Sequence, residues 1–222
     1  MARWGHFGTP VLIFPTAGGD FEEIERFQLV SALGELINAG RIKVYSIDAV
    51  AVRAWLAATT SEQECASLQE GFDSFLYEDV LERIRSDCKD DRIEPILVGA
   101  SLGAGTAVHA LCRYSDSFRA AIGLSGVYGS IDDLSRNFCS TQHREITFLS
   151  TLSESQVERL RRRVLILGSG EGDYENPAGS RRLAEAFGSK GISCRFNLWG
   201  TARDHTWSTW RDMLPRLLAE QL

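Results

Sequence analysis

The stretch Glu94-Pro-Ile-Leu-Val-Gly-Ala-Ser-Leu-Gly-Ala-Gly105 passes without a break from an apolar run into a run of small residues. Ile96-Leu97-Val98, following Pro95, has the character of a short buried strand, and the residues from Leu102 onward that of a buried helix. Between them Gly99-Ala100-Ser101-Leu102-Gly103 fits the pattern Gly-x-Ser-x-Gly. A turn that leads straight from strand to helix is so tight that only small residues fit beside its centre, and Gly99, Ala100 and Gly103 supply them. Ser101 is then held out at the end of the strand. As five letters the pattern is weak, because glycine and serine are common in loops. The strand before it and the helix after it are the context of a nucleophile elbow.

Working outward from this point, strand and helix patterns alternate. Upstream, Pro10–Phe14 reads as a strand, and the turn Gly18-Gly19-Asp20 leads to a helix over Phe21–Ala39, whose apolar positions recur at helical spacing before Gly40 caps it. Ile42–Val50 predicts a second strand ending near Asp48, followed by a polar loop around Thr59 to Glu64. Phe72, Phe75, Leu76, Val80, Leu81 and Ile84 form a further helical stripe that closes in the charged residues 87–92. Downstream come a helix from Leu102 to about Tyr114, a strand over Ala120–Leu124, and an irregular stretch from Ser125 to Ser153. A strand over Val164–Leu167, a helix over Pro177–Gly188, a strand over Ile192–Trp199 and a last helix over Thr206–Leu222 complete the series. Solid apolar strands alternating with helices predict an α/β fold with a mostly parallel sheet, covered on both faces and presenting ligands at its carboxyl edge. Without a repeat, low-complexity tract or linker, residues 1–222 are expected to form one domain.

Composition narrows the function. A net charge of −6 gives no general attraction toward nucleic acid or anionic lipid, and Arg159–Arg163 reads as a solvated helix end. No run of about 18 apolar residues predicts a membrane span, and Met1–Pro10 lacks the basic-then-apolar pattern of an export signal. The five cysteines form no Cys-x-x-Cys pair and are odd in number, which fits a reducing cytoplasm. No residues stand at metal-ligand spacing, no cofactor is expected, and Gly168-Ser-Gly-Glu-Gly172 lacks the Gly-Lys-Ser/Thr ending of a phosphate loop. The oligomeric state is left open.

A serine hydroxyl needs a base to become a nucleophile, in the chain order serine, acid, histidine. Of the histidines after Ser101, His109 sits two turns into the elbow helix and His143 in the irregular stretch, whereas His205 follows the last strand, where such a base is required. The oxyanion formed by attack on a carbonyl needs two backbone N–H donors. Leu102, next after the nucleophile, is one candidate, and Ala17, in the loop Pro15–Gly19 after the first strand, is the other. The acid must come from the loop after Val164–Leu167, which offers Glu171, Asp173 and Glu175. Asp173 fits the general hydrolase spacing, four residues before Pro177. Trp199, Trp207 and Trp210 surround the candidate base and read mainly as packing for the last helix.

These residues resemble a known family. Asp204-His-Thr-Trp-Ser-Thr-Trp-Arg-Asp-Met-Leu-Pro215 is similar to the histidine motif of the putative esterase (esterase D-like) family of α/β-hydrolases, Phe14–Gly19 to its oxyanion loop, and Gly99–Gly103 to its elbow. The resemblance runs from about Gly5 to Leu222. It implies a carboxylester hydrolase acting on a small-molecule ester or, as in antigen 85-like mycolyltransferases, an acyltransferase on the same triad. A relative that kept the fold and lost activity is a further alternative. It also favours Glu175 as the acid, because Tyr174-Glu-Asn-Pro177 resembles a pattern shared by similar esterases. Two features depart from common hydrolases: Pro15-Thr16 stands where many have His-Gly, and the sheet is expected to lack the leading strands of larger members.

Overall fold

The computed structural model describes residues 1–48, 62–128, 149 and 152–222. Among them seven strands form one sheet in the order β1-β3-β2-β4-β5-β6-β7. The strands are β1 (Ala2–Trp4), β2 (Thr9–Phe14), β3 (Ile42–Ser46), β4 (Ile96–Ala100), β5 (Ala120–Leu124), β6 (Val164–Ser169) and β7 (Cys194–Leu198). All neighbours pair in parallel except β1, which runs antiparallel to β3 with Trp4 opposite Val44. The sheet therefore carries one short leading strand where the sequence suggested none. Ala2-Arg3-Trp4 has no apolar run. It is held instead by pairing and by Arg3 on Asp87, at 2.6 Å.

The solid apolar character of the strands follows from their position between two layers. Leu12 and Phe14 of β2, Leu97 of β4 and Leu165 and Leu167 of β6 enter the core on one face. Val11, Ile13, Ile96, Val98 and Ile166 alternate with them into the core on the other. The first face is covered by α4 (Glu62–Phe75), its continuation through a π turn at Leu76–Val80 into α5 (Leu81–Cys88), the elbow helix α6 (Leu102–Arg113), α7 (Glu154–Leu160) and α8 (Ala178–Ser189). The second is covered by α9 (Trp207–Ala219) and three short helices, α1 (Glu23–Arg26), α2 (Leu29–Ala32) and α3 (Gly34–Asn38).

Those three short helices replace the continuous helix expected over Phe21–Ala39. Their apolar residues keep helical spacing, but Gln28 is left-handed at φ 62° and interrupts the chain between α1 and α2. The break leaves Phe27 43% exposed, stacked on Trp207 at 4.8 Å, rather than in the core. Phe75 likewise stays outside the stripe that buries Phe72, Leu76, Val80, Leu81 and Ile84. The basic run also differs from expectation. Arg163 is turned inward, pairing both guanidinium ends with Glu94 at 2.6 and 2.8 Å and donating to Ser115 O. It ties the start of β6 to the start of β4.

The polar loop expected around 59–64 falls largely, and the irregular stretch of 125–153 including His143 mostly, outside the described residues. Among the described residues no helix is long and apolar enough to cross a membrane.

Candidate active site

Ser101 sits at the junction of β4 and α6 with φ 55° and ψ −122°. Such a backbone costs a side-chain-bearing residue about 1–3 kcal/mol and persists only where the surroundings enforce it. Here its N–H donates to Leu124 O at 2.9 Å, and its carbonyl accepts from Ala104 and Val127 N–H, each at 3.2 Å. The flanking glycines have steric reasons. A Cβ on Gly99 would overlap the Gly103 carbonyl, and one on Gly103 would meet Pro15 O at 2.5 Å. The elbow is thus closed against itself and against the loop after β2.

That loop is organised by Glu23, a carboxylate only 4% exposed. Its Oε2 accepts Thr16 N–H at 2.8 Å and its Oε1 accepts the Thr16 hydroxyl at 2.5 Å. Gly19 lies so close that any Cβ would strike the carboxylate. Burial pushes the Glu23 carboxyl above its ordinary range, against the pull of the Thr16 hydrogen bonds. With Thr16 N–H committed, Ala17 carries the next amide. Among the described residues neither Ala17 N–H nor Leu102 N–H has an intramolecular acceptor.

His205 lies in the loop after β7, with its ring edge-on to Trp210 at 5.2 Å. Its Nδ1 is 3.0 Å from Glu175 Oε1, and the Glu175 side chain is 1% exposed. An ionised carboxylate only accepts, so Nδ1 carries the hydrogen and Nε2 is left as the proton acceptor. Glu175 Oε2 accepts the Ser125 hydroxyl at 2.5 Å and Gly170 N–H at 3.3 Å. Burial alone would raise this carboxyl; the hydrogen bonds from His205 and Ser125, the charge of His205 and the Gly170 amide outweigh it and hold it below the ordinary value.

Asp173, by contrast, is exposed and makes no side-chain hydrogen bond among the described residues, and Glu171 is exposed as well. The structure brings Glu175 to His205 and leaves Asp173 in solvent. The loops that carry Glu175 and His205 are sewn together. Glu171 N–H donates to Gly200 O and Gly172 N–H to Arg203 O, both at 3.0 Å, and Tyr174 N–H donates to Asp204 Oδ1 at 3.1 Å. A Cβ on Gly170 would overlap Arg203 O, and one on Gly172 would overlap Asp204 Oδ1. The glycines of 168–172 therefore serve the crossing of two loops.

Three participants were not singled out from the sequence: Glu23, Ser125 and the polar contact of Trp210. Ser125 ends a parallel strand as Ser101 does, and that position was the available signal. The other two tryptophans near His205 in sequence pack, Trp207 edge-on to Trp210 at 5.0 Å and Trp199 under the Arg216 guanidinium. Of the cysteines, Cys88 and Cys194 are free thiols, and burial pushes Cys194 up to about 12, far from a reactive thiolate.

Residues 20–221 match the family model described as Putative esterase. The chain belongs to the putative esterase family. The match takes in the elbow and the loops that carry Glu175 and His205, so the esterase-family α/β-hydrolase fold is that of this chain. Among solved structures, a ferulic acid esterase superposes with a TM-score of 0.72 at 17% identity, over 96% of this chain and 84% of that one. An S-formylglutathione hydrolase from Agrobacterium tumefaciens gives 0.64 at 14% identity, over 96% and 83%. Mycobacterium tuberculosis MPT51 gives 0.66 at 15% identity, over 99% and 90%. At these identities the likeness is one of fold. No curated protein matches the sequence.

Proposed function

We propose that this esterase-family chain is a serine carboxylesterase that cleaves a small-molecule ester through an acyl-serine intermediate, using Ser101, His205 and Glu175. The observation that carries the reading is the Glu175–His205 contact of 3.0 Å, which leaves Nε2 as acceptor at the same sheet edge where the strained Ser101 stands. Ser101 Oγ attacks the ester carbonyl as His205 Nε2 takes its proton, and Ala17 and Leu102 N–H receive the developing oxyanion. His205 then returns the proton to the departing alcohol, and water, activated by the same nitrogen, releases the acid. Glu175 holds the ring in one tautomer and offsets the charge of the imidazolium. Residues 1–222 act as one α/β-hydrolase domain in this reading, and free thiols fit work in the cytoplasm.

A fluorophosphonate probe with a p-nitrophenyl ester panel of increasing chain length tests it. The wild type is expected to label and to hydrolyse, and Ser101→Ala, folded by circular dichroism, to do neither, with a loss of at least about 10³-fold. Undiminished turnover in Ser101→Ala refutes the assignment. Added alcohol acceptors, with product analysis, separate hydrolysis from acyl transfer on the same serine.

A further inference from the structure

Ser125 stands just beyond β5 as Ser101 stands just beyond β4, and like Ser101 it is a serine at positive φ, 46°. Glycine adopts such a backbone freely and serine does not. Its N–H donates to Gly168 O at 2.7 Å, and two residues later Val127 N–H reaches the carbonyl of Ser101. The side chain of this buried residue faces neither solvent nor a general apolar core. Its hydroxyl lies between Trp210 Nε1, at 3.0 Å, and Glu175 Oε2, at 2.5 Å. An indole N–H can only donate, so Ser125 Oγ accepts from Trp210 and its own hydrogen is directed to the carboxylate. The direction of both bonds is fixed by the chemistry of the groups.

We propose that Ser125, its hydroxyl oriented by Trp210, is a positioning residue for the triad acid: it fixes Glu175 Oε2 so that Oε1 faces His205 Nδ1. The inference rests on Glu175 and His205 being the acid and base of a serine hydrolase. A glutamate reaches its partner through one more rotatable bond than an aspartate, so a buried glutamate needs a second anchor to present one oxygen consistently. Ser125 and the Gly170 amide, both neutral donors, provide it. The one ionisable side chain in contact with Glu175 among the described residues is His205, while the neighbouring Asp204 directs its carboxylate to Tyr174 N–H. A carboxylate deprived of the Ser125 bond keeps more charge toward His205 and draws a proton onto the pair at higher pH.

The test uses the full chain as wild type, Ser125→Gly, Trp210→Phe and the double variant, with kcat, KM, the pH profile of kcat/KM, thermal melting and fluorophosphonate labelling. Glycine suits φ 46°, so Ser125→Gly is expected to melt near the wild type, to lose about 10- to 100-fold in kcat with KM little changed, and to show its acid limb at higher pH. Trp210→Phe keeps an aromatic ring against His205 but loses the N–H together with the second ring, so a loss of kcat with the same shift of the acid limb is expected. The two losses should not add, because an indole N–H has nothing to orient once the hydroxyl is gone. A folded Ser125→Gly enzyme with wild-type kcat, or one whose kcat falls while its acid limb stays in place, overturns the proposal. A wild type that neither labels nor hydrolyses esters overturns instead the triad reading beneath it.

Discussion

Among the described residues two carboxylate–histidine pairs have nearly equal length, and one of them stands at the sheet's carboxyl edge. His109 Nε2 lies 3.1 Å from Asp73 Oδ2, against 3.0 Å for His205 Nδ1 and Glu175 Oε1. Both carboxylates are buried and both rings are partly exposed. They differ in which nitrogen is engaged and what surrounds the carboxylate. Asp73 also accepts from Gln69 at 2.7 Å and has Arg113 at 3.8 Å, so the His109 pair belongs to a polar clasp between α4 and α6. His205 is held through Nδ1, on the loop after β7, and it is Nε2 that the Glu175 contact leaves unused. A histidine beside a carboxylate is therefore not a sign of catalysis by itself; the nitrogen left over, and the edge of the sheet it serves, make the difference.

Alanine at each histidine sharpens this contrast most. His205→Ala is expected to lose at least about 10³-fold in kcat/KM, while His109→Ala keeps turnover near wild type but melts lower, since Asp73 loses a buried partner. Steady-state kinetics beside a melting curve reads both, and equal kinetic losses would erase the distinction. At the carboxylates, Glu175→Gln should cut the rate by about 10³ to 10⁴ through the wrong imidazole tautomer. Asp173→Asn, changing an exposed side chain, should cost little. A fully active Glu175→Gln enzyme would remove Glu175 from the triad.

The smallest effect concerns Glu23 and Glu175, whose carboxyls shift in opposite directions. Glu175, depressed, contributes stability above the unfolded carboxylate value that is lost as pH falls through its folded one. Glu23, raised, does the reverse: stability declines as pH rises from the unfolded value through its folded one and stays level above. Glu23→Gln keeps the shape and can still accept Thr16 N–H. It is expected to gain a few degrees in melting temperature at neutral pH and to lose that advantage on acidification. A pH-independent difference between the two proteins would contradict this.

Strands β2, β4, β5 and β6 were legible because burial on both faces makes them nearly solid apolar runs, and the elbow because Gly99 and Gly103 answer a steric demand that nothing larger meets. β1 was not legible, since pairing with β3 and the Arg3–Asp87 bridge hold it without an apolar pattern. The break between α1 and α2 was not legible because helical spacing survives the left-handed Gln28. Within the candidate site, Ser101, Leu102, Ala17 and His205 were candidates from position along the chain, and the family resemblance favoured Glu175 over Asp173. That Glu175 meets His205 while Asp173 stays exposed depends on the path of one loop over another, which spacing alone does not encode. Ser125 and Glu23 act through contacts 50 and 7 residues away in sequence, and only the first of these separations is beyond local reading.

The crossing of the two loops at Gly170 and Gly172 has a consequence for how this scaffold can change. Residues 168–175 and 200–206 share carbonyls, amides and the Asp204 carboxylate, so an insertion in either would pull Glu175 away from His205 before it reached any substrate. Laboratory evolution of a new specificity would then have to leave this half of the rim intact and draw its variation from the opposite side of the elbow. Libraries built on the glycines of 168–172 should be dominated by inactive members whatever ester is used for selection.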